Sequence, residues 1–142
     1  GEVVYLEATY PAESVNLMRS ILGERAEMHC TGIGKAMLAN LSEEEINTYL
    51  QKKLTVYTDH TISDPVCLKA ELEATRQRGY AIDDMEHEFG VKCVAMPIFD
   101  KTHKLYAAIS VSGLAVHFTD SQIQEWALLI KKYVAKIENR LS

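Results

Sequence analysis

The stretch GYAIDDMEHEFGVKCVAMPIFDKTHKLYAAISVSG, residues 79–113, decides the fold. Gly79 closes a helical pattern, in the place expected of a glycine just past a helix end, and YAIDDME resumes as an extended strand. Residues 91–99 and 104–112 are apolar runs joined by the short polar turn 100–103, which predicts an antiparallel hairpin. Alternate side chains of a strand share one face. Ser110 and Ser112 must therefore point together, with Tyr106 and Ala108 continuing that face, while Cys93 shares its face with Val91 and Ala95. If the strands are directed the same way, the thiol lies near the two hydroxyls, and Asp83 enters from the strand before.

Working outward, Thr119 with Gln122 forms a capping box, and Phe118 with Ile123 forms a hydrophobic staple. Ile123, Trp126, Ile130, Val134 and Ile137 then recur at helical spacing, so the chain should end in a long amphipathic helix. On the other side, Ser63 or Asp64 caps a helix with Pro65 at its first position and Leu68, Leu72 and Thr75 on its inner face. A shorter helix starts at Ser42, with Glu45 as capping-box partner and Leu41 and Ile46 as the staple. Before it, HCTGIGKAMLANLSEEE at residues 29–45 places Gly32, Ile33 and Gly34 at the start of a helix beginning near Thr31. Main-chain N–H groups at a helix start lack intrahelical partners and can receive an anion.

Residues 1–10 read as a first strand and 15–21 as a second. A domain seldom begins inside its first strand, so this one is expected to be excised from a longer protein. Strands grouped in hairpins, with helices grouped rather than strictly alternating, predict an α+β fold built on a mainly antiparallel sheet.

Composition narrows the function. A chain of 142 residues with 47% hydrophobic content supports one domain, residues 1–142. The net charge of −5 and pI near 5.5 argue against a nucleic-acid surface, which needs clustered Lys and Arg. Without an apolar run of about 18 residues, no membrane span is expected, and the protein reads as cytoplasmic. The three cysteines, Cys30, Cys67 and Cys93, are odd in number and form no CxxC pair, so they read as reduced thiols. The five histidines show neither HxxxH nor HExxH spacing, so no metal site is expected. No nucleophile motif surrounds Ser110, Cys93, His29 or His87; neither catalytic residues nor a cofactor are expected. Plainer readings stand beside these: a solvated pair of serines, a cysteine acting as a small core hydrophobe, exposed acids at Asp83 and Asp84, and glycines serving a tight turn.

Three segments carry a wider resemblance: MHCTGIGKAMLANLSEEE (28–45), TISDPVCLKAELEATRQRGYAIDDMEHEFGVKCVAMPIFD (61–100) and LYAAISVSG (105–113). In this order and spacing they closely resemble the effector-binding domain of IclR-type bacterial transcription regulators, over essentially the whole chain. The resemblance implies a GAF-like domain, a curved, mainly antiparallel sheet carrying helices and enclosing a small effector. It also implies an N-terminal winged helix-turn-helix domain, absent here, as the only route to DNA, and association as a homodimer or homotetramer.

Carried over position by position, the effector would be a small carboxylate such as a 2-oxo acid or sugar acid. The Gly32 and Ile33 amides would hold its acid end, and Asp83, Cys93, Ser110 and Ser112 would supply side-chain contacts. Val15, Met18 and Leu38 would form apolar walls. Asp83, taken as ionised, would face ligand hydroxyls at the far end. Ile33 stands where related sequences often have a smaller residue such as alanine, which points away from the simplest two- and three-carbon acids. Two rival readings are a GAF-like thiol redox enzyme, using Cys93 with Cys30 or Cys67, and a purely structural oligomerisation module.

Overall fold

The structure, a computed structural model, describes residues 1–10 and 23–141. The expected strand at 15–21, with Val15 and Met18, lies outside the described residues. In chain order the elements are β1 (Glu2–Val4), β2 (Arg25–Glu27), α1 (Gly32–Leu38), α2 (Glu43–Leu50) and α3 (Pro65–Arg78). There follow β3 (Ala81–Asp84), β4 (Val91–Phe99), β5 (Leu105–Leu114), a 3₁₀ turn at Ala115–His117 and α4 (Asp120–Glu138). The described strands form two antiparallel sheets, β1-β2 and β3-β4-β5, so the fold is α+β as expected.

Helix boundaries follow the capping chemistry in the sequence. Ser42 and Glu45 form the reciprocal capping box of α2, and Thr119 and Gln122 form that of α4. Asp64, rather than Ser63, caps α3, its carboxylate accepting from the Cys67 amide at 2.9 Å. Gly79 ends α3 at φ +85°, a left-handed conformation that suits glycine. The first strand is shorter than expected. Backbone pairing continues one step past Val4, with the Tyr5 amide donating to the Glu24 carbonyl and the Gly23 amide to the Tyr5 carbonyl, and Gly23 sits at φ +82°.

Strand parity then sorts the core onto the two faces of β3-β4-β5. Val94, Met96 and Ile98 are buried against Ile123, Ala127, Ile130 and Val134 of α4, joined by Ile82, Ile109 and Val111. On the opposite face Ala81 and Ala95 pack on Ala36 of α1, with Ile33 and Ala108 beside them. Because these residues are small, α1 approaches the sheet closely. A further apolar cluster, containing Val3, Ala26, Leu38, Ile46, Leu68 and Leu72, ties β1 and β2 to the three N-terminal helices. Leu38 and Leu68 are fully buried there, and each contributes about 1.5–3 kcal/mol of burial. Among the described residues, no helix is long and apolar enough to cross a membrane.

Candidate functional site

Register across the sheet builds the site. Asp83 pairs with Cys93 and Cys93 with Ser112, forming one row over three strands; Ala81, Ala95 and Ser110 form the next. At about 4.8 Å per strand, the backbones of Asp83 and Ser112 stand about 10 Å apart, with Cys93 between them. The start of α1 lies over this row. A β-carbon on Gly32 would come within 3.1 Å of Cys93 Cβ and 3.2 Å of Ala95 Cβ, tighter than side chains normally pack.

Thr31 fixes that start. Its hydroxyl accepts from the Gly34 amide at 3.2 Å and donates to the Glu27 carbonyl at 2.9 Å, while its own carbonyl accepts from the Lys35 amide. Among the described residues, the Gly32 and Ile33 amides have no hydrogen-bond partner, as the first donors of a helix should.

A cavity of about 100 Å³ opens at this point, and Gly32, Ile33, Asp83, Cys93, Ser110 and Ser112 all line it. Arg25, Thr31, His87 and Glu88 also line it, and the sequence reading did not name them as site residues. Leu38 does not: it is fully buried in the N-terminal apolar cluster. Val15 and Met18 lie outside the described residues.

The chemistry of the row departs from its sequence reading at Asp83. That residue is 4% exposed, and its Oδ1 accepts from the Glu86 amide at 2.8 Å. Burial, reinforced by the Glu86 charge, pushes its carboxyl up to about 7, against the opposing pull of the amide and Lys35. Near neutral pH Asp83 is therefore divided between acid and carboxylate, where the sequence reading had it ionised. Cys93 accepts from the Ser112 hydroxyl at 2.8 Å, and burial first, then the charge of Asp83, raises its thiol. Cys30, also buried, is pushed up to about 12. Both therefore remain thiols, not thiolates, at neutral pH.

Behind Asp83 lies a buried ionic relay. Lys35 Nζ is 2.8 Å from Glu86 Oε2 and 3.5 Å from Glu71, and Glu86 Oε2 also accepts from the Asp84 amide at 2.9 Å. The turn carrying Glu86 is braced from outside: Thr58 and Thr61 donate to the Met85 and Glu86 carbonyls, each at 2.6 Å. Met85 sits at φ +57°, a conformation that costs a non-glycine residue roughly 1–2 kcal/mol. The sequence did signal Lys35, because it precedes Leu38 and Ala39 by one helical turn and so shares their apolar face. His87 gave no comparable signal.

Comparison with known proteins agrees with this architecture. Residues 1–139 match the family described as "Bacterial transcriptional regulator IclR C-terminal". The chain is 41% identical over 121 residues to the transcriptional repressor IclR of Escherichia coli, covering 84% of this chain and 44% of that protein. It matches the crystal structure of Thermotoga maritima IclR with a TM-score of 0.92 and 38% identity, over 99% of this chain and 57% of that one. An Acinetobacter structure, described as a double mutant of the PobR inducer-binding domain in complex with 3-hydroxybenzoic acid, matches with a TM-score of 0.85 and 26% identity, over 96% of this chain and 81% of that one. The chain thus spans about half the length of the curated relatives it matches. With the family model matching nearly its whole length, the chain belongs to the C-terminal domain family of the IclR bacterial transcriptional regulators.

Proposed function

We propose that this domain senses a small carboxylate metabolite and passes its binding on to DNA through an N-terminal winged helix-turn-helix domain outside this sequence. The observation that carries this reading is the convergence of two unpartnered amides, Gly32 and Ile33, with Asp83, Cys93, Ser110 and Ser112 around one cavity. The amides hold the acid group, and Ser110 and Ser112 donate to its oxygens or to a neighbouring keto group. Asp83, across the row, receives ligand hydroxyls when ionised and donates when protonated. At about 100 Å³ the cavity is smaller than the ~300–1,000 Å³ of drug-sized sites, which favours a short-chain acid, a 2-oxo acid before a sugar acid. The PobR domain, described with 3-hydroxybenzoic acid, supports a carboxylate as the ligand class.

Coupling requires that the ligand bind one subunit arrangement better than another. The arrangement proposed is a homodimer or homotetramer, and the outward face of α4 supplies a surface for it: Leu128 is 70% exposed and Tyr133 51%. A redox role for Cys93 is disfavoured by its raised thiol, since nucleophilic cysteines need a lowered one.

The test is a thermal-shift screen of 2-oxo acids, glyoxylate and sugar acids against their neutral amides, repeated with Asp83→Ala and Ser110→Ala. A true ligand at 100 times its dissociation constant adds about 2.7 kcal/mol. The reading fails if no carboxylate stabilises the wild type, or if both variants respond as it does.

A further inference from the structure

Beside the proposed effector pocket, the segment Glu27–x–His29–Cys30 brings three metal-ligating side chains together. A Glu27 carboxylate oxygen, a His29 ring nitrogen and Cys30 Sγ all lie within 4.8 Å of one another. We propose that these three residues bind one divalent cation of the zinc class, clamping the chain at the entrance to α1.

Three observations support this beyond proximity. The first is the imidazole's orientation. His29 Nε2 lies 2.9 Å from the Thr55 carbonyl oxygen, which can only accept, so Nε2 carries a proton, and a ring holding that one proton presents a bare lone pair at Nδ1. Ligating histidines are typically held in this way, with the far nitrogen donating to a carbonyl or carboxylate.

The second is what faces that lone pair. Glu27 Oε2 stands 3.2 Å from Nδ1. A carboxylate oxygen opposite a bare ring nitrogen is two acceptors face to face, an arrangement that a cation between them relieves. The other group near Nδ1 is the Tyr49 hydroxyl at 3.2 Å, which already accepts from the Met28 and His29 amides at 3.1 Å each. Its single proton is the rival partner for the ring.

The third is the donor set and its burial. One imidazole, one carboxylate and one thiol suit a borderline cation such as zinc rather than magnesium or calcium. His29 and Cys30 are fully buried, which fixes two ligands, while the Glu27 side chain is 32% exposed and its other oxygen, Oε1, accepts from the Thr55 hydroxyl at 3.3 Å. Tetrahedral zinc, with bonds of ~2.0–2.3 Å, brings its donors to about 3.3–3.8 Å from one another, so only a small closure is needed. Water completes the fourth position, since the Tyr49 hydroxyl oxygen is already occupied by the Met28 and His29 amides. Binding replaces the Cys30 S–H bond by a sulfur–metal bond and releases the proton to solvent.

The site lies where β2 leads into Thr31, the cap of α1, so the cation would fix the backbone that carries Gly32 and Ile33 without touching the effector. The probe is cobalt(II) added to the chain. Coordination by Cys30 produces a near-ultraviolet thiolate-to-cobalt charge-transfer band at one cobalt per chain, which zinc displaces, together with a rise in melting temperature that a chelator reverses. Cys30→Ser abolishes the band, while Cys67→Ser and Cys93→Ser keep it. Glu27→Gln, at a half-buried position that tolerates exchange, weakens cobalt binding by about tenfold or more, since even outer-shell partners of metal ligands are worth that much. The proposal is overturned if the wild type shows no band, if the band survives in Cys30→Ser, or if Cys93→Ser removes it; the Glu27–His29 contact is then an imidazolium–carboxylate pair.

Discussion

Lys35 Nζ lies 2.8 Å from Glu86 Oε2, with the lysine side chain 1% and the glutamate side chain 6% exposed. An ion pair this deep is costly to break on one side, because the survivor remains a buried, uncompensated charge. Lys35→Met should therefore destabilise the domain by about 3–5 kcal/mol in urea unfolding. Adding Glu86→Gln, which removes the stranded charge yet keeps an acceptor for the Asp84 amide, should restore a large part of that loss. If the double variant is no more stable than Lys35→Met, the two residues do not act as a unit.

Asp83 makes stability depend on pH. Its folded value, near 7, lies above its ordinary 3.8, so the native state holds this proton more tightly than the unfolded chain does. The resulting stability is fully present below 3.8 and is lost as pH rises through about 7. The ligand-free wild type should therefore weaken from pH ~5 to ~8 relative to Asp83→Asn, whose carboxamide does not titrate in this range. Chemical denaturation of both proteins across this range measures the difference; parallel curves would show that Asp83 carries no such shift.

Helix α1 should tolerate no side chain at either glycine, for different reasons. At Gly32 the obstacles are the Cβ atoms of Cys93 and Ala95; at Gly34 they are the Thr31 hydroxyl and the Met28 backbone, 2.5 Å away at its Cα. Gly32→Ala should shift α1 off the sheet and reduce effector-induced stabilisation at a cost of about 1–3 kcal/mol. Gly34→Ala, pressed against backbone that cannot rotate away, should cost more. Melting temperatures with and without ligand separate the two effects, and a Gly32→Ala variant with undiminished ligand response would remove the α1 start from the site.

The legible parts of this structure were those governed by local chemistry. Ser42 with Glu45, Thr119 with Gln122, and Gly79 fixed helix ends to the residue, because a cap satisfies backbone groups one turn away. Parity placed Ser110 and Ser112 on one face because side-chain direction in a strand alternates strictly, while the register that sets Cys93 opposite Ser112 belongs to the pairing of two strands. What escaped depends on distance in the chain. Glu86 meets Lys35 across 51 residues, and Thr58 braces Met85 across 27, so neither pairing leaves a local pattern. The charge of Asp83 escaped for the same reason, since it is set by burial beneath elements that are remote in sequence. The cluster at Glu27, His29 and Cys30 is local, yet follows none of the spacings by which metal motifs are usually recognised.

If the outward face of α4 joins two copies, Leu128→Glu should lower the association state in sedimentation while leaving the thermal response to ligand intact. Leu128 is 70% exposed, so the folded monomer should absorb the change within about 0.5 kcal/mol. An unchanged sedimentation profile would move the interface elsewhere.

The central claim is that the start of α1 grips the acid end of the effector, and amide NMR tests it most directly. When a stabilising carboxylate from the screen is titrated into the ¹⁵N-labelled domain, the Gly32 and Ile33 amides should show the largest downfield proton shifts and saturate with the thermal response, while the neutral amide of the same ligand leaves them in place. Saturable binding of the carboxylate with both of these amides unmoved would contradict the account.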